Sequence, residues 1–227
     1  MIFNRLRNNL VVIFIVVFLC FPAGVYAANM YDLCYRVHKL NAGKILFLRY
    51  RYPLEEAIFR SYEIYVFDPV TSNLSFPQEY REKIYIPPVI SRDRTTISYH
   101  CLVEGSDYLV TANLELGKRI CLGFDTGGYF TNISLDYDND TAAAVIKRGP
   151  GKQAIYLISN RKGTMNRVLN GVNFEKVGFL DNGSIFYIEK KEGTTLLGIT
   201  RRTGKNNWVV AEDVDYIKKA PNGDAII

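Results

Sequence analysis

The sequence predicts an all-β protein, a β-propeller of four-stranded antiparallel blades with about four complete blades and a partial fifth, and so an open or incomplete ring. Two observations predict it. The stretch from Val172 to Asp213 reads as four short strands in about forty residues, the length and composition of one blade. Its pattern of turns and strands also recurs before and after it.

Within that stretch, Val177 to Leu180 runs into a turn at Asp181-Asn182-Gly183, and Ile185 to Ile188 follows. The chain breaks at Glu192-Gly193, and Leu196 to Ile199 leads to a turn at Arg201 to Gly204. Trp208-Val209-Val210 closes the unit. Asn-Gly and Asp-Gly steps tolerate positive φ and let the side chain bond its own backbone, so such residues recur between strands.

One set of turns places Ala42, Asp93, Asp138, Asn182 and Asn222 in equivalent positions, at intervals of 51, 45, 44 and 40 residues. A second set, at Asp68, Asn113, Ser159 and Thr200, is followed in each case by Ser72, Gly117, Gly163 and Gly204. The two sets advance together. The long first interval has a local cause, because Tyr52 to Ala57 lengthens one connection, and insertions of this kind fall in surface loops. The blades expected are 33–88, 89–132, 133–171 and 172–213, with a partial blade over 214–227.

The motifs resemble the WD40-like repeat of the TolB family of β-propellers. Ala220-Pro221-Asn222-Gly223-Asp224 is similar to the first half of that repeat, and Gly151 to Ser159 with Gly163 to the second. The resemblance runs from about Leu33 to the end of the sequence. It implies an exported binding scaffold, periplasmic or secreted, that engages a protein or cell-envelope component. The alternative it leaves is the propeller portion of an enzyme, a polysaccharide lyase or the gating domain of a peptidase, with the catalytic part absent. That family usually closes six blades, so the expectation is either a truncated propeller or one that completes its ring with another chain, with self-association through the incomplete last blade as the second case.

The first 27 residues differ in kind from the rest. Arg5 and Arg7 precede an unbroken apolar run from Leu10 to Phe21, and Val25-Tyr26-Ala27 offers small residues for a signal peptidase. Cleavage is expected between Ala27 and Ala28. The apolar run is shorter than the roughly 20 residues a membrane-spanning helix needs, so no stable span is expected after cleavage.

The 227 residues are 48% hydrophobic and 22% charged, as in an ordinary globular protein, with 28 Lys and Arg against 23 Asp and Glu. The basic residues fall as short pairs near predicted turns rather than as a dense stripe, and nucleic acid is not an expected partner. Cys34, Cys101 and Cys121 follow the leader. Cys101 and Cys121 fall on strands two apart in one blade, too distant for a disulfide, and all three thiols are expected to be buried as small apolar groups.

No catalytic constellation stands out. Phe124-Asp125-Thr126-Gly127 carries the Asp-Thr-Gly of aspartic proteases, but a lone copy supplies one carboxylate where that chemistry needs two, and the motif also makes a good turn. Asp136, Asp138 and Asp140 alternate as calcium ligands do, yet Thr141 and Lys147 stand where an EF-hand needs Gly and Glu. They are the nearest approach to a metal site, and no metal or other cofactor is expected. No Gly-x-Ser-x-Gly elbow is present. His38 and His100, at similar places in successive units, are expected to pack or to lie at a rim. Of Tyr62, Tyr65, Tyr129, Phe130, Tyr156 and Tyr187, most are expected to fill the space between blades.

Overall fold

A computed structural model of the chain describes residues 34–51, 61–77, 82–125, 127–214, 218–219 and 225–226. The leader with Ala27 and Ala28, the inserted run from Tyr52 to Ala57, Thr126 and the motif from Ala220 to Asp224 lie outside the described residues. Among the described residues, no helix is long and apolar enough to cross a membrane. The fold is all-β, and the only helical element described is a single turn at Asn41–Gly43. The chain divides into two compact units, Met1–Tyr80 and Arg81–Ile227.

The first unit holds one antiparallel meander: β1 (Cys34–Lys39), β2 (Ile45–Arg51), β3 (Ser61–Asp68) and β4 (Asn73–Ser75). Burial alternates along β3, with Tyr62, Ile64 and Val66 inward. That is the period of two expected of a pleated strand. Register sets the ring contacts too, since Phe47 lies opposite Tyr65 and the two rings stack at 5.1 Å.

The second unit begins with a sheet of β5 (Lys83–Ile84), β6 (Val89–Ile90), β7 (Thr96–Val103), β8 (Ser106–Asn113) and β9 (Arg119–Phe124). Both β5 and β6 pair with β7, so together they make the first strand of this blade. Pro87 and Pro88 fall between them, and a residue without an N–H cannot hold a ladder bond. The expected boundary between 88 and 89 therefore cuts one strand in two, because Lys83 and Ile84 already pair with Leu102 and Cys101.

The next blade is β10 (Tyr129–Leu135), β11 (Thr141–Lys147), β12 (Gln153–Ser159) and β13 (Thr164–Gly171), paired in sequence order. The expected boundary between 132 and 133 falls inside β10, whose ladder with β11 runs from Tyr129 to Leu135. A fourth blade follows in the same order: β14 (Phe174–Phe179), β15 (Ile185–Lys191), β16 (Thr194–Thr200) and β17 (Asn207–Glu212). A two-stranded ladder of β18 (Lys218–Lys219) and β19 (Ala225–Ile226) comes last.

Blades of the second unit bury both faces. Along β11, Ala142, Ala144 and Ile146 pack with Leu109 of β8 and with Phe130, Ile133, Tyr156 and Ile158. Ala143 and Val145, on the opposite face, pack with Ile155 and with Phe174, Val177, Phe179, Ile185 and Tyr187 of the next blade. Small alanines alternate with larger neighbours here, which lets adjacent sheets close on each other. Each Ile or Val buried in this way contributes about 1.5–3 kcal/mol. A third cluster of Phe186, Leu197 and Val214 lies on the far face of the fourth blade.

Cys101 of β7 and Cys121 of β9 are separated by β8, as the sequence predicts. Cys101 is buried, but Cys121 is exposed, because β9 is the outer strand of its sheet. The expectation of buried thiols fails for Cys121. Cys34 begins β1, and its side chain is not among those described.

Candidate functional site

In an antiparallel four-stranded blade, the turn after the first strand and the turn after the third emerge at the same end. In the second unit these turns are linked to one another. Each first turn is closed by a backbone bond, Ser91 N–H to Thr96 O at 2.8 Å, Asp136 N–H to Thr141 O at 2.8 Å, and Leu180 N–H to Ser184 O at 2.9 Å, the last turn being one residue shorter. The predicted anchor residue caps each turn. Asp93 Oδ1 accepts from Thr95 N–H at 3.0 Å, Asp138 Oδ1 from Asp140 N–H at 2.9 Å, and Asn182 Oδ1 from Ser184 N–H at 2.9 Å. The next residue is left-handed in every case, with φ of 61° at Arg94, 60° at Asn139 and 77° at Gly183.

Side chains then tie the turns together. Asn139 Nδ2 donates to Asp93 Oδ2 at 3.0 Å, joining the second and third blades. Arg92 reaches over the Tyr137 ring, 5.1 Å from its centroid, to pair with Asp181 at 2.8 Å, joining the second and fourth. Arg202, from the last turn of the fourth blade, donates Nε–H to Gly183 O at 3.1 Å and pairs with Asp136. Its guanidinium also lies 5.5 Å from the Phe179 ring centroid. Three successive blades are thereby fixed at one end by charge-assisted bonds.

The electrostatics follow the contacts. Burial pushes the Asp93 carboxyl upward, but hydrogen bonds from Ser91, Thr95 and Asn139 outweigh it and hold the group below the ordinary carboxylate value. The hydrogen bond to Asp181, with its charge, raises Arg92. The surface left to solvent is mixed: Tyr137 is 67% exposed, and Arg92 and Arg202 are about half exposed beside it. Tyr and Arg are among the residue types enriched at protein–protein interfaces, whereas carboxylates are depleted there.

The three aspartates singled out from the sequence share this end but do not converge. Buried Asp136 accepts from Tyr137 N–H at 2.7 Å and pairs with Arg202. Asp138 caps its own turn, and Asp140 Oδ1 accepts from Arg161 N–H at 2.9 Å in the neighbouring turn. Among the described residues, no group of three or more His, Cys, Asp or Glu side chains could hold a metal ion. Asp125 is exposed in the connection after β9.

His38 and His100 do not occupy equivalent strands. His38 is on β1, the first strand of its meander, whereas His100 is on β7, the second strand of its blade. His100 is 3% exposed and stacks on Phe130 at 4.6 Å. Its Nε2 lies 2.5 Å from Asp107 Oδ1, and its Nδ1 is buried with no hydrogen-bond partner among the described residues. Among the aromatic residues, Tyr62, Phe130, Tyr156 and Tyr187 are buried, as expected of interblade packing, while Tyr129 is 52% exposed. Sequence reasoning missed Tyr137, Arg92 and Arg202. The signal for Tyr137 was present, since it is a large aromatic inside a polar turn.

Comparison with known proteins bears on the fold. No protein-family model matches the chain, and no curated protein matches it. The dipeptidyl peptidase 4 of Porphyromonas gingivalis is similar at 11% identity, with a TM-score of 0.59 over 81% of this chain and 33% of that one. An oligogalacturonate lyase in complex with manganese is similar at 11% identity, with a TM-score of 0.58 over 86% of this chain and 76% of that one. The fold is a β-propeller. TolB from Acinetobacter baumannii is also matched, at 14% identity and a TM-score of 0.35 over 78% of this chain and 53% of that one. This propeller spans about a third of the length of the peptidase. At these identities the likeness is one of fold, and a fold does not carry a function with it.

Proposed function

We propose that this chain is an exported, non-catalytic β-propeller that recognises a protein or cell-envelope component through the linked turns of its second unit. The observation that carries this reading is the strap of Arg92 over Tyr137 to Asp181, which holds an exposed aromatic ring among fixed charges. A preorganised surface loses little entropy on binding. The leader with Arg5, Arg7 and the apolar run from Leu10 to Phe21 supports export to the periplasm or beyond. The TolB-like repeat motifs support an envelope partner, and no cofactor or nucleic acid enters the proposal.

The test compares the protein with its Arg92→Ala/Tyr137→Ala variant as immobilised baits for envelope extracts, alongside peptide, ester and oligogalacturonate substrates. Specific retention by the parent alone, without turnover, supports the reading. Turnover that disappears in Asp125→Ala overturns it.

A second reading has one specific observation behind it. The similar structures include a peptidase and a lyase. On this reading the chain is the propeller portion of an enzyme whose catalytic part lies outside these residues. Restored turnover of peptides or pectic oligomers on adding a separately encoded catalytic domain would favour it.

A further inference from the structure

The outer strand of the fourth blade is unlike its counterpart in the third. β17 is the last strand of its sheet, so among the described residues one side of it has no ladder partner. Three consecutive apolar residues stand out to solvent there: Trp208 at 47%, Val209 at 53% and Val210 at 52% exposure. Trp208 and Val209 are successive on the ladder and so face opposite sides of the sheet, and Val210 is the bulged residue between Val209 and Ala211. Trp208 continues the row of Phe186 and Ile199, and Val209 lies opposite Gly198.

The third blade supplies an internal control. β13 and β17 carry the same bulge, at Val168 and Val210, which fixes their alignment. Opposite Leu157, β13 has Asn166, where β17 has Trp208 opposite Ile199; the following residues are Arg167 and Val209. A β-carbon added at Gly204 would overlap the Val168 carbonyl, so the last turn of the fourth blade already lies against β13. β13 thus has a polar run and a covering turn, two ordinary means of blunting a sheet edge. β17 shares the bulge but has neither the polar run nor a covering turn described over it, and no Lys, Arg or Pro among its residues.

The charges around β17 point to the occupant. Lys205 precedes the strand, and Glu212 and Asp213 end it. Antiparallel pairing of two β17 strands about a two-fold axis at Val209 brings the Lys205 end of each strand to the Glu212–Asp213 end of the other and sets Trp208 opposite Val210. Parallel pairing would instead set like charges together. Directly opposed residues in an antiparallel ladder share a face, and a two-fold axis through Val209 satisfies that condition.

We infer that β17 is a self-complementary edge through which two copies of this chain pair, strand to strand, into a continuous sheet. This surface is the strand edge that follows the Arg202 turn rather than the linked turns themselves, and it does not depend on the function proposed above. Main-chain bonds supply the affinity, and the Trp208 and Val210 rows supply the fit.

The sequence contains a single Trp, so Trp208 reports on this edge directly. The experiment follows its emission and the molar mass of the full chain by light scattering, from about 1 to 300 µM. The expected result is a shift of emission to shorter wavelength in step with a doubling of mass. Val209→Lys, at an exposed position, keeps the circular dichroism of the parent and weakens association by about tenfold or more. Lys205→Glu weakens it in the same direction. A chain that stays monomeric throughout, or a dimer whose midpoint neither variant moves, overturns the inference.

Discussion

Arg92 and Asp181 stand 89 residues apart in the chain and are joined at 2.8 Å, with the ring of Tyr137 beneath the arginine. The pair bridges the first turn of one blade to the first turn of the blade two further on. Three separately encoded turns become one surface through it, and the proposed recognition face depends on that surface.

The strap is expected to organise rather than to stabilise. Both side chains are partly exposed, at 46% and 33%, and salt screens such pairs. Arg92→Ala should therefore leave the melting transition nearly unmoved in calorimetry, and any small change should vanish at high salt.

Asp136 and Arg202 should behave differently. The Asp136 side chain is only 5% exposed, so Arg202→Ala leaves a buried carboxylate without its cation. A loss of about 2 kcal/mol in urea unfolding is expected. The fourth blade has Leu180 at the place of Asp136 in its own first turn. Asp136→Leu combined with Arg202→Ala should recover most of the loss, because neither charge then remains.

Gly198 is required by its neighbour. Tyr187 lies across it and donates its hydroxyl to Asn207 Oδ1 at 2.7 Å, and a β-carbon at Gly198 would overlap the ring. Gly198→Ala should cost about 1–3 kcal/mol in denaturant unfolding through this overlap. Tyr187→Phe should cost less, since it removes only the hydrogen bond.

His100 gives the stability a pH dependence with a definite sign. Burial lowers its pKa below the ordinary 6.5, and the bond to Asp107 offsets this in part. The unfolded chain then takes up a proton at a pH where the folded chain does not. Stability is full above the unfolded value and falls as pH drops from there through the folded one. Unfolding measured between about pH 7 and pH 5 should show this loss in the parent and a flatter profile in His100→Phe.

Local turn chemistry was legible in the sequence. The residue after each first anchor has positive φ at Gly43, Arg94, Asn139 and Gly183, and so do Ser72, Gly117, Gly163 and Gly204 of the second set. Left-handed backbone and side-chain caps leave their mark on residue type, so spacing alone recovers them. The second set slips by one residue in the fourth blade, where the ladder aligns Thr200 with Ile158 rather than Ser159. Prolines hid the join of β5 and β6 in the same way. The links of Arg92 to Asp181 and of Arg202 to Asp136 leave no periodic trace, because they depend on how blades rotate against one another. The alternation of Asp136, Asp138 and Asp140 therefore reads as a metal loop in sequence, while in space the three carboxylates serve turns and an arginine.

The most direct measurement is site-specific photocrosslinking in the native cell, with the photoreactive residue placed at Tyr137 and, as a control at the opposite end of the fourth blade, at Glu192. The expected result is a discrete adduct with one envelope protein from position 137 that position 192 does not give. Equal adducts from both positions, or none from position 137, would contradict it.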